Sequence, residues 1–186
     1  FAKNLHQIKN RIKFNSREKI GRATLVLVPE KILPHTFLNY IFINKDDHKN
    51  KQIEEELYTH ELTHSQQNHT LDILFIEILK TVLWFNPILI LYKKAIQLNH
   101  EFLADENVVA TYNVTFYQSL LLEKASWNSN FQLVSNLNFL VTKKRLIMMT
   151  KTTSRNTATL KKLFLAPLFC GIIYFTCTKT VAQEKN

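Results

Sequence analysis

Two pairs of residues dictate how this chain must fold. His60 and His64 stand four apart in the pentapeptide His60-Glu61-Leu62-Thr63-His64, and 37 positions after His64 comes Glu101, itself four residues before Asp105. Residues four apart lie nearly above one another on an α-helix, so each pair claims one face of one helix. If the four side chains are to act together, the chain between them must turn back on itself. The stretch from Leu71 to Tyr92 offers the turn: it is strongly apolar, and Asn86-Pro87 breaks it. This predicts a hairpin of two helices, buried or dipping into a membrane face, because the uninterrupted apolar core from Thr81 to Tyr92 is too short to span a bilayer.

The first pair suits a metal ion. Two imidazoles at this spacing can both point a nitrogen at one ion about 2.0–2.1 Å away. Glu61 sits about 100° further round the helix, too far round to be an easy third ligand but within reach of a water on the ion. That is the place of a general base. A catalytic zinc takes three protein ligands and keeps one position open, so the third must come from elsewhere. A histidine six residues after His64 is one known solution, but Thr70 stands there and His69 is one place out of register. Glu101 and His100 are the remaining candidates, and these two point about 100° apart. We assign Glu101 as the third metal ligand and Asp105 as the acceptor for a ligand imidazole N–H, since metal-bound histidines nearly always have such a partner. The cofactor expected is one catalytic Zn²⁺, held by His60, His64 and Glu101, with Glu61 as the catalytic residue.

Charge is unevenly distributed. Of the net +9, residues 1–21 carry +5 and residues 141–162 carry +7 with no acid, leaving the rest of the chain at −3. These basic blocks lack interleaved aromatics and any helix-turn-helix or zinc-finger pattern, so direct nucleic-acid binding is not expected. The two glycines, Gly21 and Gly171, leave no Gly-rich phosphate loop.

Residues 163–178 contain no charge and lie between Lys162 and Lys179. We read 161–182 as a C-terminal transmembrane helix with snorkelling lysines at its ends. The seven positive charges before it predict that the 141–162 side faces the cytoplasm. Cys170 and Cys177 both lie here, about 10.5 Å apart along a helix and beyond disulfide reach, so packing is their expected role. The chain begins with Phe1, which suggests a fragment or processed product.

Elsewhere, Ala23–Val28 and Tyr40–Asn44 read as strands. An edge strand beside a peptidase site can pair with an extended substrate, though the sequence leaves open which strand does so. Glu54, Glu55 and Glu56 precede the helix of His60, near its positive end. Residues 107–140 read as helix and loop without further motif, with Trp127 in a packing role. The fold class expected is mainly α with a small β element (α+β), divided into a basic juxtamembrane segment (1–21), a metallopeptidase domain (22–160), the transmembrane helix (161–182) and a short tail (183–186).

Three motifs carry a resemblance: Tyr58–His69 (YTHELTHSQQNH), Trp84–Pro87 (WFNP) and His100–Glu106 (HEFLADE). Followed by a basic stretch and a late apolar segment, they resemble the BlaR/MecR-type family of membrane-bound zinc metallopeptidases, most closely its Bacteroidota versions, over roughly residues 20–182. The resemblance implies a gluzincin-like zincin domain on the cytoplasmic side of the bacterial inner membrane. It maps the zinc ligands onto His60, His64 and Glu101, the base onto Glu61 and the supporting acid onto Asp105. It also implies an endopeptidase in regulated proteolysis or signal transduction. The partners expected are membrane lipid and a protein or peptide substrate, with a repressor or the chain itself as candidates, and a homodimer as a candidate assembly. The chain ends at Asn186, shortly after the apolar segment, so β-lactam sensing is not carried over. The competing reading is a non-proteolytic membrane signalling or assembly module with a structural zinc, against which the retention of Glu61 argues.

Overall fold

The computed structural model describes residues 2–50, 52–127 and 132–151, without the side chains of 2, 126, 127 and 132–139. The run Ala23–Val28 becomes strand β2, and its alternate residues are buried on opposite faces. Ala23 and Leu25, with Ile41 and Ile43 of β4 (Tyr40–Asn44), pack against Tyr58 and Leu62. Val26 and Val28, with Phe42, pack against Ile8 and Ile12 of helix α1 (Ala2–Phe14). A helix on each face explains why these strands read as continuous apolar runs rather than as alternation.

The sheet has the order β1-β2-β4-β3, with β2 and β4 parallel and both edge strands antiparallel to their neighbours. β1 (Ser16–Ile20) is fully exposed. It turns into β2 through Gly21 at φ +59°, a conformation that costs a glycine little. At the other edge is β3 (His35–Phe37), joined to β4 by Leu38, which holds a left-handed φ of 52°. That backbone conformation is unfavourable for a leucine, and the Leu38 N–H is fastened to Thr70 Oγ1 at 2.9 Å. Asn44 ends β4 and caps α2 (Lys45–Lys49), its Oδ1 accepting from the N–H groups of Asp46 and Asp47 at 2.9 Å each.

The helical half positions the site. Helix α3 (Glu55–Gln66) carries the HELTH segment and α4 (His69–Val82) follows after Asn68, whose left-handed φ of 55° asparagine tolerates. At Leu83–Pro87 the chain reverses, and Asn86 Oδ1 accepts from the Ile88 N–H to start α5 (Ile88–Val109). The predicted hairpin is therefore α4 and α5. α5 lies against α3 with Ala104 fully buried, and Asn107 donates to Thr63 Oγ1 at 2.7 Å across the contact. Val108, Tyr117, Leu120 and Leu121 close a second core between α5 and α6 (Val114–Trp127). Helix α7 (Gln132–Met149) packs on α5 and α6.

Two compact units divide the chain, Phe1–Thr150 and Lys151–Asn186. The transmembrane helix expected at 161–182, with both cysteines, lies outside the described residues. Among the described residues no helix is long and apolar enough to cross a membrane.

Candidate metal centre and its cleft

α3 and α5 bring His60, His64 and Glu101 together. The Nε2 atoms of the two histidines are 3.1 Å apart, Glu101 Oε2 is 3.5 Å from His60 Nε2, and Glu101 Oε1 is 3.7 Å from His64 Nε2. Bonds of 2.0–2.1 Å to a tetrahedral ion place donor atoms about 3.3 Å from one another. The three side chains fit a shared ion, and among the described residues no other group of His, Cys, Asp or Glu is spaced to do so.

His60 leans on charge. Its Nδ1 lies 3.2 Å from Asp105 Oδ1 and 2.9 Å from the Tyr117 hydroxyl, which itself donates to Asp105 Oδ1 at 2.8 Å. Arg145 from α7 closes the group. It donates from Nε to Asp105 Oδ2 at 2.8 Å and from Nη2 to Oδ1 at 2.6 Å, and its Nη1 stands 2.8 Å from Glu101 Oε2. Burial opposes a charge on His60, yet the hydrogen bonds to Asp105 and Glu101 outweigh it and raise the imidazole to about 9. Burial likewise works against the two carboxylates. For Glu101 it is overcome by His60 and Arg145, and for Asp105 by Arg145 and then His60, so both sit near 2.

His64 leans on neutral rings. Its Nδ1 is 2.8 Å from Nδ1 of His69, whose Nε2 is 2.9 Å from Gln67 Oε1. Gln67 Oε1 can only accept, so His69 carries its proton on Nε2 and accepts at Nδ1. His64 must then donate from Nδ1, which leaves its Nε2 lone pair facing Glu101 and His60. Burial, followed by the charge of His60, lowers His64 to about 3; burial, followed by His100, lowers His69 to about 4. His100, the other candidate ligand, is turned away. It stacks on His69 at 3.9 Å between ring centroids and meets Asp72 Oδ2 at 2.9 Å.

Glu61 lines the same cleft. Thr36 Oγ1 of edge strand β3 lies 2.7 Å from Glu61 Oε2 and 2.9 Å from its main-chain oxygen, tying the strand to the carboxylate. Burial raises Glu61 to about 7 against the opposing pull of His60 and Thr36. The cleft holds about 480 Å³, bounded by β3 on one side and by α3, α4 and α5 on the others, with Leu57, Leu121 and Phe37 among its apolar lining.

Sequence reading missed Thr36, His69, Tyr117 and Arg145. Arg145 looked like one more positive charge in a basic block, although Thr142, Arg145 and Met149 share the helical face that packs inward. Tyr58, at the start of the YTHELTHSQQNH motif, packs against the sheet with its hydroxyl buried and unpartnered.

No curated protein matches the chain. The model of the family described as BlaR1 peptidase M56 does, over residues 3–149, from the first helix through the one that delivers Arg145. That range contains every residue placed around the cleft, and the chain accordingly belongs to this metallopeptidase family.

Proposed function

We propose that the chain is a membrane-bound zinc endopeptidase of the zincin type, with His60, His64 and Glu101 as ligands of one ion and Glu61 as general base. The observation that carries this is the pairing of three donors at tetrahedral spacing with the Glu61 carboxylate, held by Thr36, on the wall of the same cleft. Zinc in this site supplies Lewis acidity, which makes a water nucleophilic near neutral pH and polarises the peptide carbonyl.

The chain's own residues do the rest. Glu61 takes the proton of the attacking water and returns it to the leaving amine. Thr36 holds that carboxylate beside β3, whose outer edge has no strand partner among the described residues. An extended peptide laid along β3 would hydrogen-bond there, with its side chains reaching the apolar cleft lining. A structural metal site, by contrast, would be closed by four protein ligands rather than open to a cleft. The segment 161–182 would anchor the chain in the inner membrane with the catalytic unit in the cytoplasm, and a regulatory protein or the chain itself is the substrate this reading favours.

Glu61→Gln tests the proposal directly. In detergent-purified full chain it should retain about one zinc per chain while peptide cleavage falls by about 10²–10⁴-fold. A variant that cleaves at the wild-type rate would remove Glu61 from the mechanism, and a metal-free wild type would remove the zinc reading.

A further inference from the structure

The tip of the α4–α5 hairpin has no partner within the described residues. Trp84 is 82% exposed, and Phe85, Ile88 and Leu91 are each about two-thirds exposed. From Thr81 to Tyr92 there is no charge. The charges begin at one level on both limbs: Lys80 of α4 and Lys93 of α5 both reach Glu77, and Lys94 follows on the exposed side. This gives an apolar, aromatic apex with a collar of three lysines against one glutamate.

Below the apex, the outer face of α4 carries Leu71, Phe75, Ile78 and Val82, each more than half exposed. At 100° per residue these four fall within an arc of about 60°, with Lys80 on the opposite side. The apolar surface therefore runs continuously from the apex down one side of the hairpin.

Length decides the occupant. From Lys80 to Phe85 the hairpin rises about 8 Å, far short of a bilayer's roughly 30 Å core but matched to the 5–10 Å by which interfacial helices enter the headgroup and acyl boundary. The lysine collar then meets anionic headgroups, and Trp84 sits where amphipathic rings favour the interface.

We infer that the α4–α5 hairpin inserts its tip into one leaflet of an anionic bilayer and docks the catalytic unit against the membrane surface. The inference deepens the membrane reading above but does not need 161–182 to span. It also carries the cleft with it: Glu101 lies eight residues beyond Lys93, so the candidate metal centre is held about 12 Å from the collar.

Trp84 reports on this directly, because Trp127 is the chain's other tryptophan. Full chain bearing Trp127→Phe is incorporated into vesicles of phosphatidylcholine and phosphatidylglycerol (3:1). The expected result is a blue-shifted Trp84 emission, quenching by lipids brominated high on the acyl chain, and protection from aqueous acrylamide. Emission as open to acrylamide as in a free peptide overturns the inference. So does shielding from acrylamide without quenching by brominated lipid, which means that protein covers the tip. A chain that does not float with the vesicles overturns it as well. Carbonate washing separates the two membrane readings: a chain released by carbonate whose Trp84 was quenched before the wash retains the hairpin and loses the spanning segment.

Discussion

His60 and His64 occupy successive turns of α3 and face one another, yet their backing differs in kind. Behind His60 stands a buried ionic cluster of Asp105, Arg145 and the Tyr117 hydroxyl, gathered from three other helices. Behind His64 stands a relay of neutral groups, His69 and Gln67, from the junction of α3 and α4. The first arrangement makes one imidazole basic through a carboxylate; the second fixes a tautomer by hydrogen-bond logic alone. Two ligands to one ion can thus be oriented equally well while differing in what their loss would cost.

The harshest way to break this contrast is to remove the cation from the ionic side. Arg145→Met leaves the buried Asp105 and the half-buried Glu101 without their guanidinium, and we expect the metal-free chain to lose about 3 kcal/mol, read by denaturant unfolding. Loss below about 1 kcal/mol would mean the cluster is held by packing instead. Next in size, Asp105→Asn keeps the shape but removes the charge behind His60, and zinc affinity measured against a competing chelator should fall by about 10–100-fold. His69→Phe removes the acceptor from His64 while retaining a ring to stack on His100. Zinc affinity should fall here too, by about tenfold at the low end of that range, since a neutral partner supports less basicity. If His69→Phe costs more than Asp105→Asn, the ranking of the two sides is wrong.

The smallest expected effect is one of pH. His60 is raised from 6.5 to about 9 in the metal-free protein, so its contribution to stability is complete below about 6.5 and disappears as pH rises through about 9. Glu61, raised to about 7, has already lost its contribution by then. Metal-free melting temperature should therefore fall between pH 7 and pH 9. Metal must displace the His60 proton, so the stabilisation added by zinc should grow over the same range. A flat metal-free profile would show that Asp105 does not charge His60.

Legibility in the sequence followed locality. The spacing of His60 with His64 and of Glu101 with Asp105 is written within single helical turns, and the break at Asn86-Pro87 supplies the reversal that brings the pairs together. Strands β2 and β4 announce themselves by apolar runs. β3 does not, being three residues long, and neither does the polar, exposed β1. Thr36, Tyr117 and Arg145 act across 25, 57 and 40 residues of chain, and no local pattern marks a threonine, a tyrosine or one arginine among lysines for such work. His69 was visible but was measured only against the place of a third ligand. Its use as an acceptor for His64 depends on the left-handed turn at Asn68, which the sequence did not advertise.

Arg145 comes last in chain order among the residues that build the centre. A ribosome adding about 5–20 residues per second delivers Asp105 some 2–8 s before it. Over that interval the emerging polypeptide has both histidines and both carboxylates but lacks the cation that holds the carboxylates side by side. The centre is therefore completed from the C-terminal side, and any translation product that stops short of α7 carries the HELTH segment without the scaffold that sets it.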